Sequence, residues 1–192
     1  MAKIPTILAF AGSTRAESWN KKLVAIAVEG ARTAGAQVTL IDLRDFPMPL
    51  YDADLERERG LPEPAHQLKA LFLAHAGLLI ASPEYNSSIT GVLKNTIDWV
   101  SRPAEGESPL ACFVEKVAVL MSASPGALGG LRGLVHLRAI LSNIHVLVLP
   151  DQVAVPRAPE AFGPDGRLKE TKQQASIERL GQRLTTLLTK LA

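Results

Sequence analysis

Apolar runs that are too short for a helix and too uniform for a half-exposed strand recur along this chain. Residues 6–11 (TILAFA), 77–82 (GLLIAS) and 116–122 (KVAVLMS) show no alternation of apolar and polar positions. A strand that is apolar on both sides needs both faces covered, and a parallel sheet sandwiched between helices covers them. The segments between have the spacing such helices require. In 18–33, Leu23, Ile26, Ala27 and Ala31 share one side of a helical pitch, and Gly35 follows as a stop. Residues 64–75 group Leu68, Leu71 and Phe72; 90–101 and 131–144 suit helices; 167–191 sets Ile177, Leu180, Leu184, Leu187, Leu188 and Leu191 on roughly one face. Residues 37–43 and 145–149 read as further strands, while the Pro-marked stretches 46–55 and 102–115 read as loops. The expectation is an α/β fold, a three-layer doubly wound sandwich. Its five-stranded parallel sheet takes the order 2-1-3-4-5, the common solution for five strands.

Composition narrows the function. At 192 residues and 47% hydrophobic content, the chain suits one globular domain spanning 1–192, without repeats or a linker. A formal net charge of +2 is spread along the sequence, so no basic stripe points to nucleic acid or a membrane surface. Its apolar runs are far too short to cross a bilayer, and the start MAKIPTILAFAG carries no signal-peptide cleavage site. The one cysteine, Cys112, excludes an intramolecular disulfide; a reducing, cytoplasmic setting follows.

In doubly wound sheets, ligands bind at the carboxyl ends of the strands near the reversal of strand order. Three loops would meet there. The first, GSTRAESWN, offers Gly12 for a tight turn, the neutral donors Ser13, Ser18 and Asn20, and the guanidinium of Arg15, all at the start of a helix. Two readings stand for it: a phosphate cradle, or plain helix capping by Ser18 beside a solvated Arg15. It is neither a Walker loop nor GxGxxG. The second, Pro83-Glu84-Tyr85-Asn86, sets an aromatic beside an amide, which suits a flat ring with polar edges. The third, from Ser122 to Gly130, is rich in glycine and lets backbone approach a ligand plane; a Gly-rich turn into a helix is its plainer reading. Together they describe a site for one phosphate and one planar heterocycle, a mononucleotide.

Other candidates are weaker. His66, His75, His136 and His145 lack metal-ligand spacing, so no metal is expected. Ser13 lacks the GxSxG elbow of a hydrolase. Cys112 reads as an inert thiol, Glu56/Glu58 with Arg57/Arg59 as a solvated face, and Trp99 as core or subunit interface.

GSTRAESWN, the run ASPEYNSSITGVLKNTIDWVSR and the run SASPGALGGLRGLVHLRAIL resemble the NADPH-dependent FMN reductase family, whose members include flavodoxin-like chromate, quinone and azo-dye reductases. Its GSxRxxSxN pattern is met by Gly12, Ser13, Arg15, Ser18 and Asn20, and its PEYN motif by Pro83 to Asn86. The following GxLKNxIDW is met by Gly91, Leu93, Lys94, Asn95, Ile97, Asp98 and Trp99. The resemblance implies that Ser13, Arg15, Ser18 and Asn20, with Trp19 among them, hold the FMN phosphate end. Pro83, Glu84, Tyr85 and Asn86 would line the ribityl chain and isoalloxazine. Ser122, Ser124, Gly126 and Gly129 would approach the polar side of the ring. It also implies NADPH or NADH as co-substrate, a small-molecule acceptor (quinone, azo compound, metal ion or flavin) and a homodimer or homotetramer. The departures are Glu115, where a small residue commonly precedes the Lys, and a non-Thr-rich first loop, which weighs against a pure flavodoxin-type electron carrier. No catalytic side chain is assigned, because the flavin does the chemistry.

Overall fold

The computed structural model describes residues 4–192. In chain order the elements are β1 Thr6–Ala11, α1 Trp19–Thr33, β2 Gln37–Asp42, a 3-10 turn Leu43–Asp45, α2 Ala53–Arg59, α3 Glu63–Ala74, β3 Gly77–Ala81, β4 Glu84–Tyr85, β5 Ser88–Ile89, α4 Gly91–Val100, β6 Val117–Ala123, α5 Leu131–Asn143, β7 Leu147–Val155, α6 Ala158–Ala161 and α7 Thr171–Leu191. Five of the strands form one parallel sheet in the order β2-β1-β3-β6-β7. That is the expected doubly wound, flavodoxin-like order, with β6 and β7 as the fourth and fifth sheet strands.

The uniform apolar runs are explained by what lies on each face. Along β1, Ile7, Ala9 and Ala11 turn toward the core shared with α1 and α7, while Leu8 and Phe10 join Leu68, Phe72, Leu93 and Leu134 from α3, α4 and α5. These five of the six β1 side chains are buried, each contributing up to about 1.5–3 kcal/mol when Leu-sized or larger. α1 and α7 cross at unusually close range. A Cβ on Gly30 would lie 2.0 Å from the Glu178 carbonyl oxygen, and one on Gly181 would lie 2.0 Å from that of Ala27. Any side chain at either position forces the helices apart.

Several expectations need correction. The fifth sheet strand does not stop at Leu149; β7 runs on to Val155 through an irregular register beside β6, between Ala118 and Leu120. Pro150 falls in that irregularity, where a missing N–H costs no regular ladder bond. The closing helix starts at Thr171 rather than 167, since the Leu168 amide donates instead to the Gln174 side chain (3.0 Å). Part of the loop after β2 is helical: Asp52 caps α2 by accepting from the Asp54 and Leu55 amides. Within α2, Glu56 is not simply solvated; it accepts from Arg102 Nε (3.0 Å) and the Tyr51 hydroxyl (2.9 Å). Trp99 is core, fully buried, with its indole N–H on the Pro49 carbonyl (2.8 Å), and the outer side of α4 carries the Lys94–Asp98 ion pair. Glu115 sits at φ +64, the left-handed conformation a glycine would take without strain.

Candidate functional site

The register aligns the strand ends. Ala11 pairs with Asp42 and Ala81, Ala81 with Met121, and Ala123 with Val155. Loops leaving β1, β3 and β6 therefore emerge side by side, and a cleft of about 190 Å³ opens between them. The first loop gives it Ser13, Arg15, Ser18, Trp19 and Asn20. Pro83, Glu84 and Tyr85 come from the second, and Ala123, Ser124 and Pro125 from the third.

Ser18 stands at the N-cap of α1 with extended backbone, yet its hydroxyl makes no capping bond. The amides of Trp19 and Asn20 carry no hydrogen bond among the described residues. Plain capping is thus not what this loop does. The start of a fifteen-residue helix, with its positive dipole end, opens uncapped onto the cleft. Arg15 is exposed, its guanidinium 5.7 Å from the centre of the Trp19 ring. Asn20 is buried and spans the site: its Nδ2 donates to the Ala123 carbonyl (2.8 Å) and its Oδ1 accepts from the Ala123 amide (2.9 Å). That pair of bonds ties α1 to the end of β6. Gly12 is tied to the second loop, since its carbonyl accepts from Thr90 Oγ1 (2.6 Å).

The PEYN segment is a two-stranded hairpin, β4 against β5, turned by Asn86 and Ser87 at φ +50 and +66. Tyr85 is 54% exposed beside the cleft. The Glu84 carboxylate reaches away to the start of α5, accepting from the Gly133 amide (3.1 Å) and from Arg132 Nη2 (2.6 Å). Burial alone would raise its pKa; the Gly133 amide and the Arg132 guanidinium outweigh burial and hold the carboxyl below the usual carboxylate range.

Nine of the thirteen residues singled out from sequence line this cleft; Asn86, Ser122, Gly126 and Gly129 do not. Asn86 is at the exposed hairpin tip. Ser122 is fully buried, and its Oγ has no partner among the described residues. It lies under Gly130, the N-cap of α5, where φ is +90 and an added Cβ would come within 1.9 Å of that oxygen. Gly129 packs its backbone on Val155 and Pro156, and the Gly126 amide points at Ser124 Oγ (3.3 Å). Ala123 and Pro125 lie inside the third loop that the sequence placed here, though neither was singled out, and sequence reasoning missed the bracing roles of Arg44 and Arg132. Cys112 is buried in the core away from the cleft, and burial pushes its thiol up. Among the described residues no group of three His, Cys, Asp or Glu is placed to hold a metal ion.

Comparison with known proteins agrees with this geometry. Residues 5–160 match the family described as NADPH-dependent FMN reductase. The chain is 35% identical over 187 residues to the NAD(P)H-dependent FMN reductase PA1204 of Pseudomonas aeruginosa, covering 96% of each chain. It is 32% identical over 186 residues to a quinone reductase of Escherichia coli K12, covering 93% of this chain and 91% of that one. Among solved structures, FerB, a flavoenzyme NAD(P)H:(acceptor) oxidoreductase from Paracoccus denitrificans, superposes with a TM-score of 0.80 at 25% identity, over 97% of this chain and 98% of FerB. The chain belongs to the NADPH-dependent FMN reductase family and is an oxidoreductase that works with FMN and NAD(P)H.

Proposed function

We propose that, within this family, the chain holds FMN in the cleft between its three loops and passes electrons from NAD(P)H to a small acceptor of the quinone class, the whole of 1–192 serving as one FMN-binding domain. The observation that carries this reading is the uncapped start of α1, opening beside the Ser13 and Ser18 hydroxyls and the Arg15 guanidinium. This donor set fits a phosphate dianion: neutral hydroxyls and amides close in, one exposed cation at the rim. A cleft of about 190 Å³ is smaller than a whole-ligand pocket of roughly 300–1,000 Å³. It suits the phosphate and ribityl end, with the ring reaching out past Tyr85.

Roles follow from what each residue already holds. Ser13, Arg15 and Ser18 take the phosphate. Asn20 adds its free backbone amide while its carboxamide fixes Ala123. Trp19 backs Arg15. Pro83 and Glu84 offer backbone and aliphatic surface, because the Glu84 carboxylate is committed to α5. Tyr85, Asn86, Ser124 and Gly126 border the ring, and Ser122 and Gly129 shape the third loop from beneath. FMN, when bound, supplies reversible two-electron chemistry between NAD(P)H and the acceptor. The protein then has to position the ring, leave one face open and offer no competing acid, which the engaged Glu84 does not.

Three relatives named as quinone reductases support the acceptor class. A formal net charge of +2 argues against an electron carrier, which docks basic partners through acidic charge. We place the protein in the cytoplasm on its lone thiol, and no helix among the described residues is long and apolar enough to cross a membrane. Leu131 and Val135 stand exposed on α5, with exposed Leu128 just before it, and these apolar side chains support a homodimer or homotetramer. The deciding experiment is anaerobic: purified protein loaded with FMN is expected to bleach on NADPH or NADH and regain colour with a quinone. Absence of FMN affinity in titration sinks the reading, and a yellow protein that neither nucleotide bleaches is a carrier instead. Arg15→Ala is expected to lower the flavin content of the purified protein. Turnover with quinone, azo dye, chromate and free flavin ranks the acceptors, and light scattering gives the oligomeric state.

A further inference from the structure

The peptide joining Thr14 to Arg15 is held at both ends. Its carbonyl oxygen accepts two bonds from Arg44, Nε at 2.9 Å and Nη2 at 2.7 Å. Its N–H donates to Ser13 Oγ at 3.2 Å. In a trans peptide the C=O and N–H point in opposite directions. Holding the carbonyl on the outside of the loop therefore aims the N–H inward, at the Ser13 hydroxyl oxygen. That bond occupies Oγ as an acceptor and leaves the hydroxyl proton free to donate. Ser13 is buried and lines the cleft; Arg44 is exposed and does not line it.

Arg44 is placed by the fold. The pairing of Ala11 with Asp42 sets the end of β2 beside the first loop. Asp42 Oδ1 accepts from the Arg44 amide (3.0 Å), and Oδ2 accepts from Lys21 Nζ (2.5 Å) in the first turn of α1. One carboxylate thus joins the end of β2, the start of α1 and the brace on the loop between them.

We infer that Arg44 is a positioning residue for the FMN phosphate: its forked bond to the Thr14 carbonyl presets Ser13 as a donor before the ligand arrives. This rests on the proposed function and assigns Arg44 a gain from pre-organisation, not contact. The planar fork is the working part, so a lysine, which keeps the charge as a point, does not replace it.

The test titrates FMN and riboflavin separately into flavin-free protein, read by quenching of flavin fluorescence. Arg44→Gln and Arg44→Lys are each expected to weaken FMN about tenfold. Riboflavin affinity and the melting temperature of the flavin-free protein are expected to stay unchanged. Native FMN affinity in Arg44→Lys would show that only charge matters and overturn the inference. So would equal losses for FMN and riboflavin, which mean general damage to the loop, or no loss in Arg44→Gln. If the native protein itself takes up no FMN, the proposed function has failed, and this inference falls with it.

Discussion

Among the helices that begin without a bond from their own cap side chain, two start from the loops that meet at the cleft: α1 after the first loop and α5 after the third. Their ends are completed differently. At α5 the chain supplies its own anion, the Glu84 carboxylate on the Gly133 amide and the Arg132 guanidinium. At α1 the described residues supply none: Glu17, the acid nearest in sequence, is 85% exposed at its side chain and faces Lys22 at 3.5 Å. A bare helix end at the surface costs little, but one lined by hydroxyls in a cleft is a site for an outside anion. The contrast leaves α1 as the open end of the pair, the one the proposed reading gives to the phosphate, while Glu84 already occupies the other.

The largest effect that probes this contrast is at the sealed end. Gly130→Ala meets both a positive φ and the Ser122 side chain, and is expected to cost about 3 kcal/mol in denaturant melts. A native-like melt would show that the α5 start is looser than its packing implies. Next is Glu84→Gln, which keeps the shape and removes the charge. Loss of a charge-assisted bond to a helix end is expected to lower stability by about 1–2 kcal/mol. If α1 is the phosphate end, FMN affinity in that variant stays near native; a marked loss would move the phosphate toward α5. The same carboxylate predicts a pH dependence. Its pKa is lowered in the fold, so its contribution is complete above the ordinary carboxylate range and is lost as pH falls through the depressed folded value. Native protein should therefore lose part of its advantage over Glu84→Gln on acidification, read as converging melting temperatures. The smallest effect is at the open end. Replacing an N-cap serine ordinarily costs about 0.5–2 kcal/mol, but Ser18→Ala should cost less than about 0.5 kcal/mol here while still weakening FMN, because its hydroxyl caps nothing. A full capping cost would mean that the two ends are alike after all.

Much of this contrast was invisible in the amino-acid string. Strands β1, β3 and β6 were legible because both their faces are buried, which leaves an unbroken apolar run. The first-loop donors were legible because a motif packs them into nine residues. Glu84 was found as part of PEYN, but not its direction, since its partners Arg132 and Gly133 lie some fifty positions on and only the fold brings them together. The hairpin β4–β5 has two residues per strand, too few for any period; its one local sign is the Asn86-Ser87 turn. α2 has five charged residues among ADLERER and almost no apolar face, so only the Asp52 cap betrays it. Arg44 carried no signal at all, because its partner is a main-chain oxygen thirty residues earlier.

The Gly30–Gly181 crossing has a consequence for biosynthesis. The helix whose bare end faces the cleft rests its buried side on α7, a twenty-one-residue helix synthesised well after it. Until α7 is released, Ala27 and Ala31 lack the helix they pack against. FMN uptake is thus expected only once α7 has been made, and a chain stopped at Glu170 is expected to come off a column colourless.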